Sequence, residues 1–576
     1  MTWLSGEVRS RVTNAILLHT QTIMTTPAEW QNTGTFGPEQ ADLDVAYATS
    51  LPPDAALAWV EARLAEVQSH FANLGTKRNN LFLIYHLPKA VLFQILSWVA
   101  LSSNSSDSSE ETGFSFRSSI DHTKDLVHLS QACKLFRGAA LERPELWVRV
   151  NIGYPGLAKL FLERSGDKLV TVCIHPHARR PTTLKSIPLE ILQPHLGRIV
   201  NLGLTFVTEL RLGCASENPL AMHMPALRTL RLRNARKEFP DGVGEAPASA
   251  PPLLVFPTPN APYPELRKVV LASVDVPWDS SLFNGLTELD LSHQDPGHAP
   301  TIVELITVLG QCPGLEKLHL RNSGPKELPD PPAAPDMKKV RLPNLRDLSI
   351  VHDQGRYMDI PFLLSRVSIP HSAGIHIQCN DAVDPVICFS RMFPPEHPFL
   401  EEMPKYSTLK HLHSFTFFHF RLIDGSGGGS LSFRVNRHDQ TVQNRASIID
   451  FFRTFGEPVQ YAEIHPSREN NPWTDIFESL PNVGFMKFKR ELEHAKFAEV
   501  MSTNVCPRLK KLSLEYSTHT TAHQSAWLTV VKARSDKGLK LEELDLSFTD
   551  GAEHLTDDVV DELKLYTGNF QRRKLF

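Results

Sequence analysis

The 576-residue sequence predicts an α/β fold, an irregular leucine-rich-repeat solenoid with parallel strands on its concave face, preceded by a small all-α helical module. Three observations carry this expectation. A six-residue L-x-x-L-x-L pattern recurs, most copies follow a proline, and segments of helical spacing lie between copies.

The copies are LRTLRL (Leu227, Leu230, Leu232), LRKVVL (Leu266, Val269, Leu271), LTELDL (Leu286, Leu289, Leu291), LEKLHL (Leu315, Leu318, Leu320), LRDLSI (Leu345, Leu348, Ile350), LKKLSL (Leu509, Leu512, Leu514) and LEELDL (Leu541, Leu544, Leu546). Weaker ones begin at Ile199 (IVNLGL) and Val483 (VGFMKF). In each, the L-x-L pair falls on one side of a short strand and the leading residue turns inward from the bend before it. One such unit cannot close a core, so units must stack. Leading positions 266, 286, 315 and 345 are 20, 29 and 30 residues apart, and 483, 509 and 541 are 26 and 32 apart, which suits a repeat with modest insertions. Pro225, Pro264, Pro313, Pro343, Pro481 and Pro507 stand just ahead of a leading position and fix how the chain turns into the strand. IVELITVLGQC, from Ile302, has the 3-4 spacing of a helix.

The repeat domain is expected over 151–576, with surface loops at the proline-rich 240–264, at 324–335 and at the glycine-rich 425–430. Between about 370 and 480 the repeat signal fades. HSFTFFHF (413–420), LSFRV (431–435) and VQYAEI (459–464) are expected to continue the sheet, in a register that the spacing does not assign.

Composition narrows the function classes. Hydrophobic residues at 41% and charged residues at 22% suit a globular protein, and a net charge of -4 gives no polyanion-binding signature, so nucleic acid is not an implied partner. The longest nearly apolar run, residues 91–101, is far short of the roughly 20 residues of a membrane span. Seven dispersed cysteines without a CxxC pair argue for a reducing compartment, cytoplasm or nucleus. Residues 1–50 read as a flexible polar arm; Arg9 and Arg11 among Ser and Thr resemble a transit peptide only weakly. Twenty-five histidines invite a metal reading, with His175 and His177 as one pair and His411, His413 and His419 expected on one face of a strand. No carboxylate or cysteine completes a zinc spacing, and no G-x-S-x-G or P-loop is present. The expectation is a binding protein with no catalytic residue, metal or cofactor.

Ahead of the repeats, residues 51–86 read as an amphipathic helical segment. Pro52-Pro53-Asp54 suits a helix start, and Leu57, Val60, Leu64, Val67, Phe71 and Leu74 follow at steps of 3 and 4, a coiled-coil seam expected to pack on the next helices. Pro88 then opens a helix whose Val91, Leu92, Ile95, Leu96 and Val99 form one apolar stripe. After a serine-rich insert at 102–119, a second helix carries Leu126, Leu129, Cys133 and Phe136, and PELW (Pro144 to Trp147) follows. Asp107, Glu110 and Glu111 make the insert a candidate for acid-directed phosphorylation, against the plainer reading of a solvated loop. So much apolar surface on two short helices needs a partner, either the first repeat or another protein.

The segments LPKAVLFQIL, LVHLSQACKLFR and PELW resemble the three parts of an F-box over 87–150, in the form found in fungal, basidiomycete-like F-box proteins with a preceding helical segment and trailing leucine-rich repeats. In that family the box docks on the Skp-type adaptor of a cullin-RING ubiquitin ligase and the repeats hold a protein substrate. The resemblance implies adaptor contacts at Leu87, Pro88, Val91, Leu92, Ile95, Leu96, Leu129, Cys133, Phe136 and Trp147, with Cys133, Phe136 and Arg137 matching the family's Cys-x-x-Trp-Arg stretch. Ala90 stands where an acidic residue is usual, Phe136 replaces the usual Trp, and the serine insert enlarges the loop. The residues alone leave a second reading open, a leucine-rich-repeat scaffold outside any ligase whose first helices only cap the repeats.

The substrate side is expected on the concave face. Alternation points Arg231, Arg233, Lys268, Lys317, His319 and Arg321 outward from the middle repeats, and Glu543 and Asp545 from the last. That gives a face basic at its centre and acidic at its C-terminal end, suited centrally to an acidic or phosphorylated segment.

Overall fold

Six of the repeats open on a turn that a proline sets. The carbonyls of Met224, Tyr263, Cys312, Leu342, Leu480 and Cys506 accept the amides of Leu227, Leu266, Leu315, Leu345, Val483 and Leu509, three residues on, at 3.0 to 3.4 Å. Proline, second in each of these turns, already holds the φ that the turn requires. Both residues that close the turn are buried, so the same bend that aims the strand also contributes to the core.

The computed structural model describes residues 38–79, 86–101, 125–132, 134–174, 191–206, 223–234, 263–274, 276–294, 299–324, 339–352, 359–379, 400, 406–413, 417–424, 429–436, 449, 451–465, 473–489, 494–516, 521–548 and 556–574. The chain divides into two units, Met1–His175 and Pro176–Phe576.

In the first unit, helix α1 (Pro38–Ser50) occupies the end of the stretch expected as a flexible arm. It is held to α2 (Pro53–Asn79) by the Asp44–Arg63 ion pair at 2.9 Å and by the Tyr47 and Trp59 rings, 5.1 Å apart. Along the 3-4 seam of α2, Leu57, Val60, Leu64 and Phe71 are 63, 45, 56 and 51% exposed, and Val67 and Leu74 are half-buried.

Helices α3 (Lys89–Leu101), 125–132 and α4 (Lys134–Leu141) follow, then a single 3-10 turn over Pro144–Trp147. The serine-rich insert and Cys133 lie outside the described residues. β1 (Arg149–Asn151), α5 (Pro155–Arg164) and β2 (Val170–Ile174) complete the unit as a parallel strand-helix-strand, with Val150 opposite Val172. Trp147 is its fully buried centre. Its indole donates to the Ala140 carbonyl at 2.8 Å, meets Phe161 edge-on at 4.9 Å and lies under the Arg164 guanidinium at 4.3 Å.

In the second unit, β3 (Ile199–Phe206), β4 (Thr229–Asn234), β5 (Lys268–Ala272), β6 (Glu288–Ser292) and β7 (Lys317–Arg321) pair in sequence order, all parallel. Helix α6 (Ile302–Gly310) lies between β6 and β7 where the spacing predicts it, opened by a reciprocal capping box of Thr301 and Glu304. The two-residue strands β8 (Val340–Arg341) and β10 (Val367–Ser368) form a small parallel pair of their own, while β9 (Asp347–His352) continues the main ladder after β7. Helix α7 (Asp359–Arg366) leads to β11 (Gly374–Cys379), which pairs with β9.

The stretch with the faded repeat signal is where parallel order breaks. β12 (Thr408–His413), β13 (Phe417–Ile423) and β14 (Ser430–Asn436) are an antiparallel run. β14 returns to pair with β11, and β12 pairs with β15 (Tyr461–His465), so spatial order here is 11-14-13-12-15. Parallel stacking then resumes through α8 (Trp473–Glu478), β16 (Phe485–Lys489), α9 (His494–Met501), β17 (Lys511–Tyr516), α10 (Thr521–Asp536), β18 (Leu541–Phe548), α11 (Asp557–Tyr566) and β19 (Thr567–Lys574). The architecture is a long, largely parallel α/β sheet of short sequential strands, consistent with a leucine-rich-repeat-like solenoid.

Register turns the motif into columns. Leu230, Val269, Leu289, Leu318, Leu348, Ile375 and Leu431 stand side by side across successive strands, and Leu232, Leu271, Leu291, Leu320, Ile350 and Ile377 form the next row; all are buried. Met486, Leu512 and Leu544, with Phe488, Leu514 and Leu546, repeat the pair in the later strands. Aromatic edges thicken this C-terminal core, with Trp473, Phe477, Phe488 and Phe497 in mutual contact and Trp527 beside Phe497. Arg534 is fully buried there and donates to the Val505 and Cys506 carbonyls at 3.0 Å each, capping the turn that precedes β17.

Strand exits are shaped by Ser273, His293 and Asn322 in the left-handed region (φ 53, 51 and 50°). That bend sends their amides to the carbonyls of Ser292, Arg321 and Val351 on the next strand at 2.7 to 2.8 Å. Most residues pay for such a φ with a Cβ clash, which short polar side chains tolerate best. Of the expected loops, 240–262, 325–335 and 425–428 lie outside the described residues; Tyr263 is instead buried in the turn before β5, and Ser430 begins β14.

Leu291 sits in mid-column with no exposed surface, so Leu291→Ala should cost about 2–5 kcal/mol in urea unfolding. A loss below about 1 kcal/mol would show that the column does not bear the core.

Candidate binding face

The face of the second unit's sheet opposite the leucine columns carries the polar residues of the alternation. Arg231, Arg233, Lys268, His319 and Arg321 are half-buried there and Lys317 is exposed, on strands β4, β5 and β7. The structure brings them onto one face but does not leave them a purely basic patch. β6 and β9 interleave Glu288, Asp290 and Asp347 in the same register, Glu288 between Lys268 and Lys317 and Asp290 opposite His319.

The pairing is close. Glu288 accepts from Lys268 and lies 3.4 Å from Lys317; burial works to raise its pKa, and the two lysines overcome this and hold it below the ordinary carboxylate value. His319 bridges two strands, with Nε2 3.1 Å from Asp347 and Nδ1 3.9 Å from Asp290. Its hydrogen bond to Asp347 raises the imidazole pKa, and the same bond lowers that of Asp347. Asp290 moves the other way, since burial outweighs the surrounding cations and raises it. Burial likewise lowers the pKa of Arg231. The Nε of Arg321 is buried and has no hydrogen-bond partner among the described residues.

Farther along the face, Ser432 sits between two imidazoles, with its hydroxyl 3.0 Å from Nδ1 of His376 and 2.5 Å from Nε2 of His419. His376 reaches Gln378 through its other nitrogen at 3.3 Å. The expected trio of His411, His413 and His419 is split across a hairpin, His411 and His413 on β12 and His419 on β13. The hairpin register pairs His419 with Leu412, and sets His411 opposite the core residue Phe420 and His413 opposite Phe418. Counting in twos across 411–419 fails because the chain reverses between β12 and β13. His175 and His177 lie outside the described residues.

The C-terminal part of the face is paired as well. Glu543 meets Lys511 at 2.9 Å and Asp545 meets Arg573 at 3.7 Å, so the expected acidic end carries its own counter-charges. At its centre Glu463 is a buried hub, 2.8 Å from Lys489, 3.2 Å from His465, 3.9 Å from Lys410 and 3.4 Å from the Tyr461 hydroxyl. Burial pushes its pKa up, but Lys489, His465 and Lys410 together bring it down to about 2. The sequence signal for this hub was present in the alternation of YAEIH, though the stretch had no assigned register.

In the first unit, Leu92, Leu96, Leu129, Phe136 and Trp147 are buried in the unit's own interior, whereas Leu87, Val91 and Ile95 are half-buried and Pro88 is exposed. The ten adaptor contacts that the resemblance implies therefore divide into interior residues and a smaller accessible set, with Cys133 outside the described residues. Phe93 is covered by the Arg143 guanidinium at 4.2 Å, and Lys89 pairs with Glu142 at 2.5 Å, tying the start of α3 to the chain after α4.

Among the described residues, no three His, Cys, Asp or Glu side chains come together as a metal site. Burial pushes the thiols of Cys379 and Cys506 up to about 12, which leaves both as unreactive core groups. No helix of the described residues is long and apolar enough to cross a membrane. In comparison with known proteins, no family model matches the chain and no curated protein does.

His319 and Asp347 set a pH window. A raised imidazole pKa stabilises fully below the ordinary value of 6.5 and is lost as pH rises through the folded value; the lowered carboxylate contributes above its ordinary 3.8 and is lost on acidification. The stability gap between the native chain and His319→Gln, from urea unfolding, should therefore be larger at pH 5.5 than at pH 8.5. A gap that grows with pH would contradict the pairing. Glu463→Gln, which leaves Lys489 and His465 without their counter-charge, should cost about 1–3 kcal/mol at neutral pH. A cost near zero would show that the hub is solvated.

Proposed function

We propose that the chain is the substrate-recognition subunit of a Skp/cullin/F-box type ubiquitin ligase, with no catalytic step of its own. The observation that supports this reading best is the division of the α3 stripe. Leu92 and Leu96 close the helical unit from within, and Leu87, Pro88, Val91 and Ile95 remain on its accessible side as an apolar strip for an adaptor. A unit closed by Trp147, Phe136 and Leu129 buries Leu87, Val91 and Ile95 only in part.

The open face of the sheet would then take the protein substrate. Its alternating lysine, carboxylate, histidine and arginine side chains favour a segment of mixed charge over a polyanion, since each cation stands beside a carboxylate that an all-acidic ligand would also meet. Arg321, with its unpartnered Nε, is the natural place for one acidic or phosphorylated side chain within such a segment.

Co-expression with a Skp-type adaptor tests the reading. The native chain should co-purify with the adaptor at near-equal stoichiometry, and Val91→Asp with Ile95→Asp should weaken capture at least about 10-fold while the thermal unfolding of the rest of the chain is kept. A stable, adaptor-free native chain under these conditions would support the non-ligase scaffold instead.

A further inference from the structure

We propose that the open face of the second unit docks an extended peptide segment in which an acidic side chain lies two positions from a large apolar one. The acid bridges Lys410 and Arg421, and the apolar residue rests on Tyr461 and Phe485. This rests on the reading of that face as the substrate surface and names what the surface selects.

Arg421 departs from the alternation of charge kept elsewhere on the face. On β13 it stands between the core residues Phe420 and Leu422, which turns it to the open side, and it is exposed. Register sets it directly opposite Lys410 on β12 and Ser432 on β14, so one flank is a second cation and the other a neutral hydroxyl. Its guanidinium has no ion-pair or hydrogen-bond partner among the described residues. Lys410, also exposed, has only a share of a carboxylate: Glu463 lies 3.9 Å away and is closer to Lys489 and His465, at 2.8 and 3.2 Å. Two like charges opposed across a ladder destabilise it, and an anion set between them removes that cost.

An apolar platform adjoins the two cations. Tyr461 and Phe485 stand opposite each other in the β15–β16 ladder, with their rings edge-on and 5.0 Å apart, and both are half-buried. They share the open side with Glu463 and Lys487, two positions on along each strand. Aromatic rings placed this way offer a large contact area at little cost in side-chain entropy. Lys410 is level with Glu463, so Tyr461 lies one strand over and two residues back, about 8 Å away at the backbone. An extended chain sets successive same-side residues about 7 Å apart, so side chains two positions apart reach both places. A second acid at the apolar position would meet Glu463, whose carboxylate is 3.4 Å from the Tyr461 hydroxyl. The charge requirement is therefore one-sided.

Selection of a display library of random short peptides on the full chain should enrich an acidic residue two positions from a large apolar one. The synthesised consensus peptide should lose at least about 10-fold in affinity for the native chain when its acid is changed to the amide, or its apolar residue to serine. Arg421→Gln should abolish the first difference, Arg421→Lys should keep it, and Tyr461→Ala should abolish the second; Arg421, being exposed, should leave the unfolding temperature unchanged. Enrichment of no acidic-apolar consensus, or a consensus peptide that Arg421→Gln binds as the native chain does, overturns the site. Arg421→Gln should capture the Skp-type adaptor at the native level. Failure of the native chain to capture the adaptor, with peptide selectivity intact, overturns the ligase reading and leaves this site standing.

Discussion

The inward pair of each short strand cannot be buried by its own repeat, and the second unit is organised around that constraint. Leu289 and Leu291 lie between Val269 and Leu271 on one side and Leu318 and Leu320 on the other, and all six are buried. Stability is thus a sum of neighbour contacts, and every strand has to hold register with the next. A proline turn sets how six of the strands start, and left-handed residues at the exits of β5, β6 and β7 tie each to the following strand. With the apolar pair committed inward, the alternate positions are free for charge. Because register aligns them too, those charges meet as pairs, Lys268 with Glu288 and Lys511 with Glu543 directly across and His319 with Asp347 on the diagonal.

What the sequence made legible follows the same logic. Wherever strands stack in parallel, a residue's motif position gives both its face and its neighbours, so LTELDL and LEKLHL could be read directly as β6 and β7. The antiparallel run of β12 to β14 obeys pairing rules that no repeat encodes, which is why the motif faded there and why His411, His413 and His419 were assigned to one face. The left-handed exits were hidden because Ser273, His293 and Asn322, and not glycine, occupy them.

The binding face was only half read. The alternation that turns Lys317 outward turns Glu288 and Asp290 outward as well, and their carboxylates change a basic patch into a ladder of alternating charge. In the first unit the apolar stripe of α3 was visible, but a stripe does not tell which of its residues face the interior; packing against Trp147 and its neighbours divides Leu92 and Leu96 from Val91 and Ile95. Helix α1 was missed because its sequence lacks an apolar stripe, and it is held instead by Asp44 and Tyr47.

Neighbour stacking is the claim on which the other features rest, and a double-mutant cycle measures it most directly. Leu291 and Leu320 are adjacent in one column, whereas Leu291 and Leu514 belong to distant strands of the same sheet. Alanine substitutions at Leu291 and Leu320 should show an interaction energy of about 0.5–3 kcal/mol, and those at Leu291 and Leu514 should add within about 0.5 kcal/mol. Additive losses at the adjacent pair, or equal interaction energies at both pairs, would contradict a core built from one-neighbour contacts.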